Sequence, residues 1–257
     1  MQLNNMLVGI LSNPEVVVRA HEELDRVVGS DRPPNLLDEP KLPYVHAIIK
    51  EVMRWRPINK FGQNHFATEV HSWRFYRQFI TAQDGWYGEY FIPKGSVVMI
   101  NWWGIHYDPH RFPEPHLFKP ERFINHTLSA GEEALLADPY QRSHFGFGGG
   151  RRICPGMHLA ERGMFLNIAR MLWAFDIDFK RDAKGERIPV DFTLLGTMDG
   201  SNTTPKPFAC GTFGCVADIL TCKIFECEVP ITRGYFGKNG QQLDKWGLTF
   251  PRCNLIN

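Results

Sequence analysis

A single cysteine bordered by glycines has the residue types and spacing of a metal-binding thiolate. The pattern Phe-x-x-Gly-x-Arg-x-Cys-x-Gly places Phe147, Gly150, Arg152, Cys154 and Gly156 within ten positions. Glycines allow close backbone approach and positive φ angles, so a tight loop can aim a sulfur at a metal. A lone cysteine is more often a small buried apolar residue, and a glycine cluster is more often only a loop. Together, however, the five positions favour the ligand interpretation.

A second pattern is a charged pair on a helix, with a third charge farther along the chain. Glu51 and Arg54 are three residues apart and project from one helical face, where Arg122 could bridge to the same carboxylate. A solvated surface pair of little energetic value is the simpler alternative. For an isolated pair of this spacing, the surface interpretation is the favoured one.

These motifs resemble those of the cytochrome P-450 monooxygenases, with all five positions of the cysteine pattern matching. Glu51 to Arg54 resembles the family's Glu-x-x-Arg pair, and Pro120-Glu121-Arg122-Phe123 resembles the segment whose arginine completes the ion network. The flanking residues 42–44 and 55–57 also resemble the family. The resemblance therefore favours a buried, structural ion network, which would hold irregular chain in register and perform no redox chemistry. The resemblance implies that the Cys154 thiolate is the axial ligand of the iron in haem b. It also implies that Phe147, Gly150 and Gly156 border the haem and that Arg152 contacts a propionate.

His65 is a further candidate in the resemblance to fungal-type members. It lies in Gln63-Asn64-His65-Phe66-Ala67, where related sequences place a propionate-binding residue, although an ordinary loop histidine is the open alternative. The resemblance extends to Trp103, His106, Asp108 and Pro109, for which we predict packing and no ligation.

Three helices and one hairpin are predicted to position these residues. Apolar spacing, prolines and glycines predict helices from about residue 14 to 28, from 44 to 55 and from 157 to 175. A polar capping residue in Ser12-Asn13 should begin the first helix, and Gly29 should end it. The third should begin just after Cys154, with Leu159, Leu166, Ala169 and Trp173 on its inner face. Residues 90–92 and 97–100 are predicted to pair as a hairpin around the turn 93–95, and residues 101–146 to be mostly irregular.

The predicted fold is mainly α with small β-sheets, a truncated cytochrome P-450 fold that retains the haem-binding C-terminal part. That part covers residues 1–210 and contains an interpreted insertion at 70–83; residues 211–257 form an unassigned cysteine-rich tail. We interpret both segments as late insertions or translated noncoding sequence. By the resemblance, the N-terminal anchor and most of the distal proton-delivery helix are missing, so the catalytic residues stay unknown.

The cysteine-rich tail offers a different chemistry. Cys210 and Cys215, and Cys222 and Cys227, form two pairs that could bind zinc, but the four-residue spacing is loose for such a site. Incidental thiols are the favoured interpretation of these four residues.

Composition restricts the partners. The chain has 29 Lys and Arg residues against 28 Asp and Glu residues, which gives no basic footprint for nucleic acid. It has no apolar run of membrane-spanning length and no signal peptide, so the chain is predicted to be soluble. The resemblance implies attachment to the endoplasmic reticulum membrane only through an anchor missing from this chain.

The function implied by the resemblance is oxidation of an apolar organic substrate with O₂, using electrons from an NADPH-cytochrome reductase. Three hypotheses stay open: an active monooxygenase, an inactive fragment of one, and a noncatalytic haem- or zinc-binding module. The fragment is favoured for this chain alone, because haem bound from one side would leave a large apolar face in water.

Overall fold

The chain is mainly helical. A computed structural model describes residues 2–61, 79–80, 84–150, 153–193 and 204–214. Within these ranges the helices are α1 (Gln2–Ser12), α2 (Pro14–Val27), α3 (Pro43–Trp55), α4 (Trp102–His106), α5 (Ala130–Ala134) and α6 (Met157–Ala174). Short 3-10 turns occupy Glu39–Lys41, Pro120–Phe123 and Pro139–Gln141. The predicted helices correspond to α2, α3 and α6, and residues 101–146 are largely irregular, as expected.

The strands form small antiparallel pairs. In the described ranges β1 (Phe79–Ile80) pairs with β4 (Val97–Val98), β2 (Gly85–Tyr87) with β3 (Tyr90–Ile92), and β5 (Phe175–Phe179) with β6 (Cys210–Gly214). The small-sheet part of the fold prediction is therefore confirmed. Strand β6 continues past the predicted domain boundary at 210, and β1 contains the only described residues of the interpreted insertion 70–83.

The predicted pairing of residues 90–92 with 97–100 is wrong. Phe91 lies opposite Trp86, and Val97 lies opposite Ile80, so β3 and β4 belong to different pairs. Only residues 88–89 separate β2 from β3, and Gly88 has a φ of 57°. A two-residue connection containing a glycine at positive φ favours a tight hairpin, which explains why β3 pairs with the strand before it.

The main core lies where α1, α2, α3 and α6 meet. Met6, Leu24, Ile48, Phe165 and Leu172 represent these four helices, and each is at most 1% exposed. Burial of one such side chain contributes roughly 1.5–3 kcal/mol, so the four helices are fixed chiefly by apolar packing. Helix α3 is the most enclosed of them: all its residues after Pro43 except His46 are buried.

The N-terminus of α3 is capped by a residue from another helix. The carboxylate of Glu23, in α2, accepts hydrogen bonds from the backbone N–H groups of Tyr44 (3.0 Å) and Val45 (3.1 Å). Burial raises the pKa of the Glu23 carboxyl, and these hydrogen bonds oppose the rise. The cap therefore links α2 to α3.

The two ends of α2 were predicted with different success. Asn13 precedes the helix but makes no side-chain cap; its Nδ2 donates instead to the carbonyl of Gly9 at 2.8 Å, so the predicted polar cap is wrong. The predicted end is confirmed, because Gly29 follows the helix with a φ of 71° and donates its N–H to the Leu24 carbonyl at 3.2 Å.

The predicted inner face of α6 is partly wrong. Its buried residues are Met157, Glu161, Phe165, Ile168, Ala169 and Leu172. Ala169 is on that face, and Leu166 and Trp173 pack half-buried at its margin, but Leu159 is 80% exposed. Because Leu159 lies two residues from Met157 and from Glu161, it projects away from the stripe that these residues share.

Candidate functional site

Cys154 is an exposed free thiol at the end of a closed loop. Its N–H donates to the carbonyl of Phe147 at 2.9 Å, and its own carbonyl accepts from Met157 N at 3.3 Å, at the start of α6. Residues 144–156 are called the cysteine loop below. The thiol is therefore held at a fixed place near a helix N-terminus and is open to a ligand.

Two glycines of the cysteine loop have left-handed backbone conformations. Gly148 has a φ of 83° and Gly150 a φ of 64°. A Cβ at either position would have open space around it, with nothing within 4 Å among the described residues. Backbone conformation, and not crowding, therefore requires glycine at these two positions.

Gly146 is needed for a different reason. A Cβ at this position would lie 2.6 Å from Met53 Cε and 3.2 Å from His144 Nδ1. Met53 belongs to α3, so the backbone of the cysteine loop packs directly on that helix. The sequence pattern gave no reason to single out Gly146 among the neighbouring glycines.

The start of the cysteine loop is anchored to α4. The N–H of Phe145 donates to Nε2 of His106 at 2.8 Å, and the Phe145 ring stacks on Trp102 with centroids 5.5 Å apart. Burial lowers the pKa of His106 well below its ordinary value, so the ring is neutral at pH 7 and Nε2 can accept this bond. His106 thus positions the loop, in addition to the packing predicted for it.

Several residues that follow Cys154 are exposed and apolar. Pro155, Leu159 and Ala160 are exposed, as is the polar His158. A Cβ at Gly156 would lie 3.8 Å from Cys154 Sγ, so the glycine leaves one side of the sulfur clear. Phe147 is half-buried. An accessible sulfur followed by exposed apolar residues suits a flat apolar ligand that binds through that sulfur.

Glu51 and Arg54 form a buried, two-point ion pair. Arg54 Nε lies 2.7 Å from Glu51 Oε2, and Arg54 Nη2 lies 2.8 Å from Glu51 Oε1. Neither side chain has any exposed surface. The geometry is thus that of the buried network and not of a solvated surface pair.

The same pair fixes the backbone of the segment that follows α4. Arg54 also donates to the carbonyls of His106 (3.0 Å), Pro115 (2.9 Å) and Leu117 (3.2 Å). The Lys119 N–H donates to Glu51 Oε1 at 2.8 Å. Burial raises the pKa of the Glu51 carboxyl, while the bonds from Arg54 and Lys119 oppose that rise. Residues 106–119 are therefore tied to α3 at several points.

Arg122 joins this network by charge more than by hydrogen bonding. Its Nε lies 3.5 Å from Glu51 Oε1 and makes no hydrogen bond, while its Nη1 and Nη2 donate to the carbonyls of Pro113 and Glu114. The structure thus brings Glu51, Arg54 and Arg122 together, with Arg122 bound chiefly to backbone.

Arg152 and His65 lie outside the described residues, as do Cys215, Cys222 and Cys227 of the tail. Cys210 is buried in β6. Their predicted roles at propionates or at zinc therefore stay predictions.

The donor set fits an iron that needs one protein ligand. In the described part of the chain there is no group of three or more His, Cys, Asp or Glu side chains that could hold a metal ion. Cys154 offers one accessible sulfur, and in haem the porphyrin supplies the equatorial ligands and leaves an axial position for the protein. The glycine-bordered loop with its exposed thiol fits a haem.

Comparison with known proteins establishes the family. The family model "Cytochrome P-450" matches residues 1–199, and this chain therefore belongs to the cytochrome P-450 family. Members of this family are oxidoreductases that use haem.

Fungal monooxygenases are among the similar curated proteins. The cytochrome P-450 monooxygenase verL of Clonostachys rogersoniana is 44% identical over 208 residues, which is 81% of this chain and 35% of that protein. The monooxygenase yanC of Aspergillus niger is 39% identical over 206 residues, covering 80% of this chain and 36% of yanC. The chain thus spans about a third of the length of these relatives.

The alignment with another relative is longer. The monooxygenase pgmC of Aspergillus terreus is 40% identical over 247 residues, or 96% of this chain and 43% of pgmC. With so few residues unaligned, the match must extend into residues 211–257, the predicted unassigned tail.

Solved structures agree on the fold. A zebra fish cytochrome P-450 solved with abiraterone superposes with a TM-score of 0.63 at 29% identity, over 83% of this chain and 44% of that one. A structure with progesterone gives a TM-score of 0.64 at 30% identity, covering 82% and 42%. The predicted partial cytochrome P-450 fold is confirmed. Among the described helices, none has the length and apolar character needed to cross a membrane.

Proposed function

We propose that this chain is the haem-binding portion of a monooxygenase that oxidises an apolar organic substrate with O₂. The observation that carries the proposal is the exposed Cys154 thiol at the end of a closed, glycine-bordered loop. In this proposal the Cys154 thiolate ligates the iron of haem b, and an NADPH-cytochrome reductase supplies electrons. The site of action is the endoplasmic reticulum membrane.

The residues of this chain act by binding and positioning. When bound, haem supplies the oxygen-activating chemistry, which thiolate ligation promotes. Gly148 and Gly150 shape the backbone so that Cys154 faces the ligand, and Phe147 and Gly156 border it. Arg152 and His65 are proposed to bind the propionates, for which the planar guanidinium is well suited.

The ion network has a structural part in this proposal. Arg54 holds the carbonyls of His106, Pro115 and Leu117, and His106 in turn accepts a hydrogen bond from Phe145 in the cysteine loop. Glu51, Arg54 and Arg122 would therefore maintain the loop's support without touching substrate.

The test is spectroscopic. Purified chain is reconstituted with haem, reduced and treated with carbon monoxide; we expect the red-shifted Soret band of a thiolate-ligated haem. Cys154→Ala should abolish that band, whereas Cys210→Ala, the matched control at a cysteine buried in β6, should keep it. An unchanged band in Cys154→Ala would overturn the ligand assignment.

The alternative of a noncatalytic haem- or zinc-binding module gives different results. A haem-binding fragment would show the thiolate band but no substrate oxidation when reductase and NADPH are added. A zinc module would retain stoichiometric zinc in Cys154→Ala and show no thiolate band. The two measurements on the same preparation separate these outcomes.

A further inference from the structure

A second buried ion pair joins α3 to α5. Lys50 Nζ lies 2.6 Å from Glu133 Oε1, and the two side chains are only 4% and 5% exposed. Lys50 Nζ also donates to the Leu128 carbonyl at 2.6 Å. Burial alone would raise the pKa of the Glu133 carboxyl, but the Lys50 ammonium and the hydrogen bonds to Glu133 outweigh it and lower the pKa. Glu133 is therefore an anion at neutral pH.

The other oxygen of Glu133 binds the chain that enters the cysteine loop. Glu133 Oε2 accepts from both the N–H and the hydroxyl of Ser143, each at 2.7 Å. Ser143 comes directly before the cysteine loop and is 1% exposed. One carboxylate therefore connects α3, through Lys50, to the start of that loop.

Helix α5 also contacts the helix that follows the cysteine loop. The Ala130 N–H donates to Glu161 of α6 at 2.9 Å, and a Cβ at Gly131 would lie 2.3 Å from His158 Cε1, in the first turn of α6. A small cleft is lined by Glu133 together with Phe147 and Ile153 of the loop. The helix that carries Glu133 thus contacts the residue that enters the loop and the helix that leaves it.

The Lys50–Glu133 pair is expected to add little to the free energy of unfolding. Desolvation of two buried charges offsets most of their attraction, so replacing a buried pair with apolar residues is often neutral or stabilising. Hydrogen bonds from such a pair, however, fix the relative position of the elements that they join. The Lys50–Glu133–Ser143 chain of contacts joins α3 to the cysteine loop.

We propose that Lys50 and Glu133 are positioning residues that set the place of the cysteine loop relative to α3. Neighbouring residues of α3 then have separate tasks: Glu51 and Arg54 hold residues 106–119, and Lys50 holds the entry to the loop. The inference rests on the proposed function, because it concerns the alignment of the Cys154 thiol with haem.

The test compares two identical substitutions of buried carboxylates. Glu133→Gln is matched with Glu23→Gln, because both residues accept backbone N–H bonds at buried sites and Glu23 makes its bonds at Tyr44 and Val45. Melting temperature, amide hydrogen exchange of residues 143–157 without haem, and the thiolate fraction of the reduced carbon monoxide spectrum are measured for both.

We expect amide hydrogen exchange in residues 143–157 to be about tenfold faster in Glu133→Gln than in Glu23→Gln. Loss of the Glu133 contacts would let the loop open without unfolding of the rest of the chain. It should also convert part of the thiolate band to the band of haem without thiolate. Glu23→Gln should lower the melting temperature and leave both loop measurements at the wild-type value. Equal loop exchange in the two variants would overturn the proposal.

A double variant separates positioning from stability. Glu133→Gln leaves the Lys50 ammonium without its carboxylate, and adding Lys50→Met removes that charge, so the melting temperature should rise above that of Glu133→Gln. No hydrogen bond would then join residue 50 to α5, and exchange of residues 143–157 should stay fast. Return of loop protection together with the melting temperature would refute the positioning role. If the wild-type chain shows no thiolate band, the proposed function fails, whereas the exchange measurement still decides this inference.

Discussion

The ion network around Glu51 and the cysteine loop are built in opposite ways. Arg54 uses its guanidinium for bonds to Glu51 and to the carbonyls of His106, Pro115 and Leu117, and it has no exposed side-chain surface. Cys154 is exposed, and the described part of its loop is closed by backbone bonds such as Cys154 N to Phe147 O. The network is therefore the region where loss of one partner strands buried charge, and the loop is the region where chemical reactivity lies.

The largest expected effect comes from breaking the network. Arg54→Ala would leave the Glu51 carboxylate and three carbonyls without their donor, and we expect a loss of about 3–5 kcal/mol in the free energy of unfolding. Urea denaturation followed by circular dichroism measures this. Arg19→Ala is the control, since Arg19 and Glu121 form an exposed pair that solvent screens. Equal losses in the two variants would contradict the special cost of stranding buried charge in the network.

A smaller effect is expected in the cysteine loop. Gly148→Ala should cost about 1–2 kcal/mol, because an L-residue is strained at a φ of 83° even with open space around its Cβ. Gly163→Ala is the matched control. A Cβ at Gly163 would also have open space around it, but this glycine lies inside the helix α6. That change should stabilise by about 0.5–1 kcal/mol. Thermal unfolding of both variants would show effects of opposite sign; the same sign in both would argue against the loop geometry.

The smallest effect should come from an ion pair outside both regions. Arg32 donates to both oxygens of Asp38 at 2.7 Å, and these hydrogen bonds lower the pKa of Asp38 to about 2. Because the folded pKa is depressed, the contribution of this carboxylate is complete above the ordinary value of 3.8 and is lost as pH falls towards 2. Arg32 is half-exposed, so solvent screening keeps this contribution small.

The test is the free energy of unfolding of wild type and of Asp38→Asn, measured from pH 5 to pH 2. Wild type should be slightly more stable than Asp38→Asn at pH 5, and the two free energies of unfolding should converge near pH 2. A constant difference over the whole range would show that Asp38 does not titrate as its contacts require.

Local patterns predicted three of the six described α-helices and the principal motifs. Proline and glycine marked the ends of α2, and the i,i+3 spacing placed Glu51 and Arg54 on one face. The cysteine loop was recognisable because its chemistry is concentrated in ten consecutive residues. These features depend on near neighbours in sequence, and a single sequence contains that information.

Features that depend on distant residues were missed. The Lys50–Glu133 pair joins positions 83 residues apart, and nothing in a lysine beside Glu51 indicates its partner. Arg122 was predicted to join Glu51 and lies 3.5 Å from its carboxylate, but its hydrogen bonds to the carbonyls of Pro113 and Glu114 were not predicted. The exposure of Leu159 depends on which neighbours cover α6, which apolar spacing does not specify.

The enclosure of α3 restricts how its sequence can change. From Tyr44 to Trp55 only His46 escapes full burial, so the helix has no solvent-facing side on which a shift of register would be harmless. Inserting or deleting one residue would rotate the remainder by about 100° about the helix axis. Lysine, carboxylate, guanidinium and apolar side chains would all lose their partners at once, and a length change within α3 should therefore be tolerated far less than any single substitution there.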